Sequence, residues 1–217
     1  MNTPMILDAL AVVQRSILAN ESQIESLDRA IGDGDHFINV RRGCEVLAVL
    51  SPDLKGMPPG LALHKIGMKL LGTIGGASGP LISSFFMAMG KTLEGAEEPD
   101  RRQFAAGFAS GVEAIKLRGK ADVGEKTMLD VLIPVSRMLL KLADEDTPLP
   151  ALCAQLKEEA SRNMLATKDM IASKGRASFL GERALGHIDP GCKTCEVAIA
   201  AVCDTVLQQT IALQDTA

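Results

Sequence analysis

The sequence predicts an all-α fold, about eight antiparallel helices packed into one bundle, and three observations carry that expectation. Apolar residues recur at spacings of three and four through eight separate runs in which Ala, Leu and Met are prominent, the pattern of one buried helix face. Alternating apolar and polar residues, the mark of a half-buried strand, are scarce. Stretches rich in glycine, proline and acidic residues fall between the runs and leave only short connections, so consecutive helices should lie antiparallel and adjacent.

In chain order, LDALAVVQRSILA (7–19) opens the series, and RRGCEVLAVL (41–50) follows until SPDLKGMPPG breaks it. LALHKIGMKLLG (61–72) ends at GGASGP, and PLISSFFMAMGKTL (80–93) ends at EGAEEPD. RRQFAAGFASGVEAIK (101–116) gives way to RGKADVGE, and KTMLDVLIPVSRMLLKLA (126–143) to DEDTPLP. LPALCAQLKEEASRNMLATKDMIAS (149–173) precedes the breaker LGERALGHIDPG, and CKTCEVAIAAVCDTVLQQTIAL (192–213) closes the series. Glycine and proline are the punctuators in each case.

With 217 residues the chain suits one sizeable core, and residues 1–217 are expected to form a single domain without linker, repeat or low-complexity segment. A hydrophobic fraction of 47% and a mean hydropathy of +0.15 belong to a packed globule and not to a disordered tail. The ten methionines read as core filling. No Trp or Tyr is present and aromatic residues make up only 3%, against a base-stacking platform. A net charge of -4 also argues against phosphate-backbone binding, so no nucleic-acid partner is expected. The N-terminus lacks a basic stretch followed by a cleavage site, and no apolar run approaches bilayer length. A cytoplasmic location without a membrane partner is therefore expected.

Five cysteines, Cys44, Cys153, Cys192, Cys195 and Cys203, are odd in number and lie in apolar segments, as reduced thiols do. Cys192 and Cys195 form a C-x-x-C pair. Zinc needs about four ligands, and no second pair lies at the required spacing. A redox motif would need a βαβ setting that this pattern lacks.

The unusual part lies in the loops. LDRAIGDGDHFINVRRG (27–43) gathers Asp28, Asp33 and Asp35 around Gly32 and Gly34. On one continuous helix Asp28 and Asp35 would share a face while Asp33 pointed about 140° away. On a strand Asp28 would lie roughly 17 Å from the other two. A helix ending near Asp28, then a turn through the two glycines, could bring all three together. Converging carboxylates repel unless a cation sits between them, and hard oxygen ligands favour Mg²⁺ or Ca²⁺ over zinc. A solvated turn whose aspartates cap helices accounts for the residues as well, and both readings stand at this point. An EF-hand is excluded, because its bidentate Glu would have to fall at Asn39, Cys44 or Val46.

Two familiar phosphate motifs fail. GDGDHF has Phe37 where a dinucleotide fingerprint needs its third Gly, with no strand ahead of it, and the GKT at 90–92 has Phe85 where a P-loop begins with Gly. GGASGP (75–80) leads straight into an apolar helix, whose first N–H groups could hold an anion. A tight helix–helix turn explains it equally.

Taken together, the order LDRAIGDGDH…N, GGASGP, RGKADVGEKTMLD and KGRASFLGERALGHIDPG resembles the nucleotide-binding L subunit of dihydroxyacetone kinase, from about residue 27 to residue 191. The resemblance implies a closed bundle or barrel of eight antiparallel helices whose loops at one end hold ADP or ATP through two Mg²⁺ ions. It assigns Asp28, Asp33 and Asp35 to the metals. It sets His36, Phe37, Ile38 and Asn39 near the phosphates, with Ala77 and Ser78 as a second cradle. Gly119, Thr127 and Met128 border adenine or ribose, and Arg176, Asp189, Pro190 and Gly191 close the site. Phe37 departs from the glycine usual in the family pattern.

Such a chain is half of an enzyme. The resemblance implies that a separate K subunit holds dihydroxyacetone as a hemiaminal on a histidine, so no nucleophile or general base is assigned here. In one branch of the family ADP stays bound and an M-type phosphodonor of the phosphotransferase system recharges it; in the other, ATP exchanges as a substrate. Another short hydroxyketone or sugar, a non-catalytic Mg-nucleotide sensor and a purely structural bundle remain as alternatives. His64 is expected at the surface or packed without a role, and Arg41 and Arg42 on a solvated face; a helix-end surface charge for Arg176 and a plain turn for His187 and Asp189 are the alternatives to a role in the site.

Overall fold

The computed structural model describes residues 1–214, so the end of the expected 1–217 domain lies outside the described residues. Within them the chain forms nine α-helices: α1 (Thr3–Ala19), α2 (Glu21–Ile31), α3 (His36–Leu54), α4 (Pro59–Leu71), α5 (Ser78–Thr92), α6 (Arg101–Gly119), α7 (Leu129–Asp144), α8 (Leu149–Ala166) and α9 (Pro190–Gln214). Two 3-10 helices, Thr167–Asp169 and Arg176–Ala184, lie between α8 and α9, and no strand occurs among the described residues. The all-α expectation holds.

Eight of these helices make the barrel. α1, α3, α4, α5, α6, α7, α8 and α9 each pack on the next, and α9 returns to α1 to close the ring. The helix missing from the sequence expectation, α2, stands outside this order and packs against α3, α9 and the 3-10 helix Arg176–Ala184. Its sequence is mostly polar, with Ile24 and Ile31 as its buried apolar residues, so the apolar period that marks the others is weak here.

Local chemistry sets several boundaries. The Asn2 side chain accepts the Met5 N–H at the start of α1 (3.1 Å), and Asp100 with Gln103 forms a reciprocal capping box ahead of α6. α3 begins at His36 and runs through Pro52, longer than the expected 41–50. α8 stops at Ala166, well short of residue 173. There the buried Thr167 hydroxyl donates to Met164 O (2.7 Å) and accepts the Asp189 N–H (3.1 Å), pinning both ends of the long α8–α9 connection together.

Helix pairs close onto one another through small residues. A Cβ on Gly60 of α4 would lie 2.7 Å from Gly90 O of α5, and one on Gly90 would lie 2.6 Å from Gly60 O, so neither position admits a side chain at this spacing. Phe85 meets Phe86 and Phe108 edge-on, with ring centroids 5.3 and 5.4 Å apart, and joins α5 to α6.

The connections alternate between two ends. At one, the Met1 ammonium donates to Pro99 O (2.7 Å), Thr3 to Met57 O (2.6 Å) and Arg101 to Thr147 O (2.5 Å), which gathers the chain start with the α3–α4, α5–α6 and α7–α8 turns. The opposite end therefore collects the α2–α3, α4–α5, α6–α7 and α8–α9 connections, and the first turns of α3, α5, α7 and α9 all point toward it. Among the described residues, α9 is also the one helix long and apolar enough to cross a membrane by length and composition, over Pro190–Ala212, which corrects the expectation that no run reaches that length. In the barrel it is a wall, packed between α1 and α8.

Candidate metal centre

The α2–α3 turn is built around one carboxylate. Asp28, only 4% exposed, sits in the last turn of α2 and accepts the His36 N–H at the start of α3 (3.0 Å). The Gly32 N–H donates to Asp28 O (2.6 Å), and a Cβ on Gly32 would lie 1.9 Å from Asp28 Oδ1, so a side chain there would displace the carboxylate. Gly34 takes a φ of +79°, which reverses the chain. Asp28, Asp33 and Asp35 consequently bring one oxygen each to within 4.8 Å of one another. Among the described residues no other group of three His, Cys, Asp or Glu side chains converges in this way.

Capping accounts for Asp28 but not for the other two. Asp35 precedes α3 without making a capping bond, and Asp33 turns to Arg176, whose Nε lies 2.8 Å from its Oδ2. Desolvation, then the charge of Asp33, raises the Asp35 carboxyl above its ordinary pKa, the expected strain of like charges held together. Three oxygen donors without sulfur suit a hard divalent cation. The His36 ring stands outside the converging group: its Nε2 lies 2.8 Å from Thr194 Oγ1 of α9, and burial lowers its pKa and favours the neutral imidazole.

The next residues divide between core and site. Phe37, 1% exposed, packs with Ile17, Ile24 and Val197. It lies inside α3, where φ is negative and glycine is not needed, so the departure from the family pattern is absorbed by the core. Ile38 is exposed and Asn39 is buried. Asn39 faces the α4–α5 turn: a Cβ on Gly75 would lie 2.9 Å from its Oδ1. Ala77 directly precedes α5 and Ser78 begins it, with Ser78 Oγ donating to Gly75 O (3.3 Å). The main-chain N–H groups of this first turn have no partner within the helix.

The other two connections meet beside α9. Asp189 caps α9 by accepting the Cys192 N–H (2.7 Å), with Pro190 following as the first helical residue. Burial pushes the Asp189 carboxyl up to about 6. The Cys192 thiol donates to Thr127 O (2.8 Å), and Met128 lies against Gly191. Gly119 ends α6 beside Leu81 of α5. The structure thus links Thr127, Met128, Asp189, Pro190 and Gly191 in one group, and Arg176, Asp28, Asp33, Asp35, His36 and Asn39 in another. His36 with Thr194 connects the two. Burial raises the thiol pKa of Cys192 and takes that of Cys195 up to about 12. Both stay protonated, as packing groups do.

Three residues that matter here were missed in the sequence. Asp130, buried at the start of α7, accepts the Gly124 and Thr127 N–H groups and fixes the α6–α7 loop. Lys126 is buried, and that burial lowers its pKa. Thr194 orients His36 from far along the chain. Of the three only Asp130 had a local cue, an acid three residues after Thr127 that can accept its N–H; Lys126 and Thr194 depend on tertiary contact alone. His64, His187, Arg41 and Arg42 are exposed; Arg41 pairs with Glu45 (3.6 Å) and Arg42 donates to Asn39 Oδ1 (3.4 Å).

Comparison with known proteins adds to this geometry. A family model described as the DAK2 domain matches residues 30–204. The chain is 36% identical over 176 residues to the PEP-dependent dihydroxyacetone kinase, ADP-binding subunit DhaL, of Escherichia coli (strain K12), covering 81% of this chain and 84% of that protein. It is 38% identical over 186 residues to the PTS-dependent dihydroxyacetone kinase, ADP-binding subunit DhaL, of Lactococcus lactis subsp. lactis (strain IL1403), covering 85% and 88%. The crystal structure of the dihydroxyacetone kinase from C. freundii in complex with AMP-PNP and Mg²⁺ matches with a TM-score of 0.71 and 25% identity over 93% of this chain. This chain spans 34% of that longer one.

Proposed function

Because the chain belongs to the DAK2-domain family, we propose that it is the nucleotide-binding subunit of a two-component dihydroxyacetone kinase, folded as one domain that holds ADP or ATP with Mg²⁺. The observation that carries this reading is the convergence of Asp28, Asp33 and Asp35 to within 4.8 Å at the barrel end toward which four helix N-termini point. Acidic groups and positive helix ends together suit a polyphosphate bridged by cations.

Asp28, Asp33 and Asp35 would hold the magnesium, taken as two ions, whose charge lets phosphate oxygens lie against carboxylates and offsets charge that develops in transfer. Around it the chain supplies position. His36, Phe37, Ile38 and Asn39 at the start of α3 and Ala77 and Ser78 at the start of α5 would lie along the phosphates; the His36 and Asn39 N–H groups are engaged by Asp28 Oδ2 and Asp35 O, so the main-chain donors would be those of Phe37, Ile38, Ala77 and Ser78. Gly119, Thr127 and Met128 border the base and ribose. Asp189, Pro190 and Gly191 form the far wall, with Arg176 above the triad as a cation for the phosphates. Phosphoryl transfer through a loose transition state relies on such placement and charge more than on covalent chemistry. This chain contributes no nucleophile, so the acceptor hydroxyl belongs to dihydroxyacetone on a separate K subunit.

The relatives named PEP-dependent and PTS-dependent favour ADP as a resident group rephosphorylated in place by a phosphotransferase-system protein. A cytoplasmic location is part of the same proposal. To test it, the purified chain is denatured and the nucleotide and Mg²⁺ released per chain are measured, beside an EDTA-treated control. Retained ADP with about two Mg²⁺ is expected. An empty chain that binds ATP weakly would move the reading to an exchanging substrate, and a chain that binds neither nucleotide would overturn it.

A further inference from the structure

Lys126 combines two costly features. Its side chain is 1% exposed, and its backbone is left-handed at φ +60°. A buried cation loses hydration, and a left-handed residue other than glycine is strained, a state that persists only where its surroundings over-determine it. An apolar side chain would fill the same space without removing a charge from water. What the lysine adds is a pair of long-range hydrogen bonds: Nζ donates to Met170 O (3.1 Å) and to Ala184 O (2.6 Å).

Those two carbonyls lie on opposite limbs of the α8–α9 connection. Met170 follows the 3-10 helix Thr167–Asp169, and Ala184 ends the 3-10 helix Arg176–Ala184. The limbs also meet at their base, where the Gly186 N–H donates to Lys168 O (2.8 Å). The neighbouring Glu125 holds the outgoing limb, accepting the Ser173 N–H on its carbonyl (3.3 Å) and the Ser173 hydroxyl on Oε1 (3.0 Å). Glu125 and Lys126 are themselves fixed by Asp130, which accepts N–H groups on both sides of them. The clasp is therefore rigid at its root, while the segment it holds presents Arg176 to Asp33.

We infer that Lys126 is a positioning residue that clamps both limbs of the 167–189 connection, holds Arg176 over the acidic triad, and so sets how long a nucleotide stays in the site. The last clause rests on the nucleotide-binding reading; the clamp itself does not. A lysine that only stabilised the fold would affect binding and release alike, whereas a clamp acts on release and on the exposure of the segment.

The test compares Lys126→Met with the parent in two measurements. Limited trypsin digestion without ligand, mapped by mass, reads cleavage after Lys168, Lys174, Arg176 and Arg183; the variant should be cut there about tenfold faster or more. Stopped-flow displacement of a fluorescent ADP analogue with Mg²⁺ should show release at least about tenfold faster, with association and the Mg²⁺ dependence unchanged. Lys126→Gln, whose amide keeps two donors, should fall between the two, and it replaces the methionine variant if circular dichroism shows that variant unfolded. Equal cleavage and equal release in variant and parent would overturn the inference, as would a loss confined to association. If the parent binds no Mg-ADP, the nucleotide reading fails by itself, and the trypsin comparison still decides whether Lys126 clamps the segment.

Discussion

Arg176 Nε lies 2.8 Å from Asp33 Oδ2, an ion pair that joins the connection between α8 and α9 to the acidic turn ahead of α3. The two side chains are 69% and 39% exposed. A pair so open to solvent contributes about 0–1 kcal/mol at most, so stability gives little reason for it. Its place beside Asp28, Asp33 and Asp35 does give one, since among the described residues Arg176 is the guanidinium that pairs with the triad.

Arg176→Gln separates these two accounts. The unfolding free energy in urea should fall by no more than about 1 kcal/mol, while the Kd for Mg-ADP by calorimetry should rise about tenfold or more. A large loss of stability with unchanged affinity would make the residue a structural tie and remove it from the site.

The three aspartates should not behave alike. Asp33 is exposed and carries no main-chain bond of its own, so Asp33→Asn is expected to abolish metal-dependent nucleotide binding and leave the helical circular dichroism intact. Asp28 also accepts the His36 N–H from a buried position. Asp28→Ala should therefore lose binding and about 1–2 kcal/mol of stability together. If Asp33→Asn bound Mg-ADP as the parent does, the triad would not be the metal site.

Much of the barrel could be read from the chain because its eight helices announce themselves twice, by apolar spacing and by the glycine and proline runs between them. α2 escaped because its eleven residues bury little beyond Ile24, Asp28 and Ile31, and a helix held by so narrow a stripe has no clear period. The convergence of the acidic turn was legible, since only a helix end followed by glycines could bring three carboxylates together. Lys126 and Thr194 were not legible. Their partners lie 44, 58 and 158 residues away, and no local pattern encodes a contact of that range. α8 likewise ended early for a tertiary reason, the double use of the Thr167 hydroxyl by Met164 and Asp189.

Phe37 tests where the core stops and the site begins. It is 1% exposed and packs among Ile17, Ile24 and Val197. Phe37→Ala should cost about 3–5 kcal/mol of stability. Mg-ADP affinity, measured at a temperature where the variant is still folded, should stay within about threefold, because only the main chain of residue 37 faces the site. A collapse in affinity without loss of stability would show that the ring itself touches the ligand.

The pH dependence of stability offers a test of Asp189. Burial raises its folded-state pKa from 3.8 to about 6. The folded chain therefore takes up a proton more readily at this site than the unfolded chain does. By linkage, the stability that this site contributes is fully present below about pH 4 and is lost as pH rises through about 6. Asp189→Asn cannot titrate, yet its amide oxygen can still accept the Cys192 N–H that caps α9. Other titrating groups, Asp35 among them, remain in both proteins and cancel in the difference. The stability of Asp189→Asn minus that of the parent, from urea unfolding at successive pH values, should rise between about pH 4 and pH 6 and level off above that. Parallel curves would mean that Asp189 is solvated well enough to ionise normally, and the burial assigned to this wall of the site would have to be withdrawn.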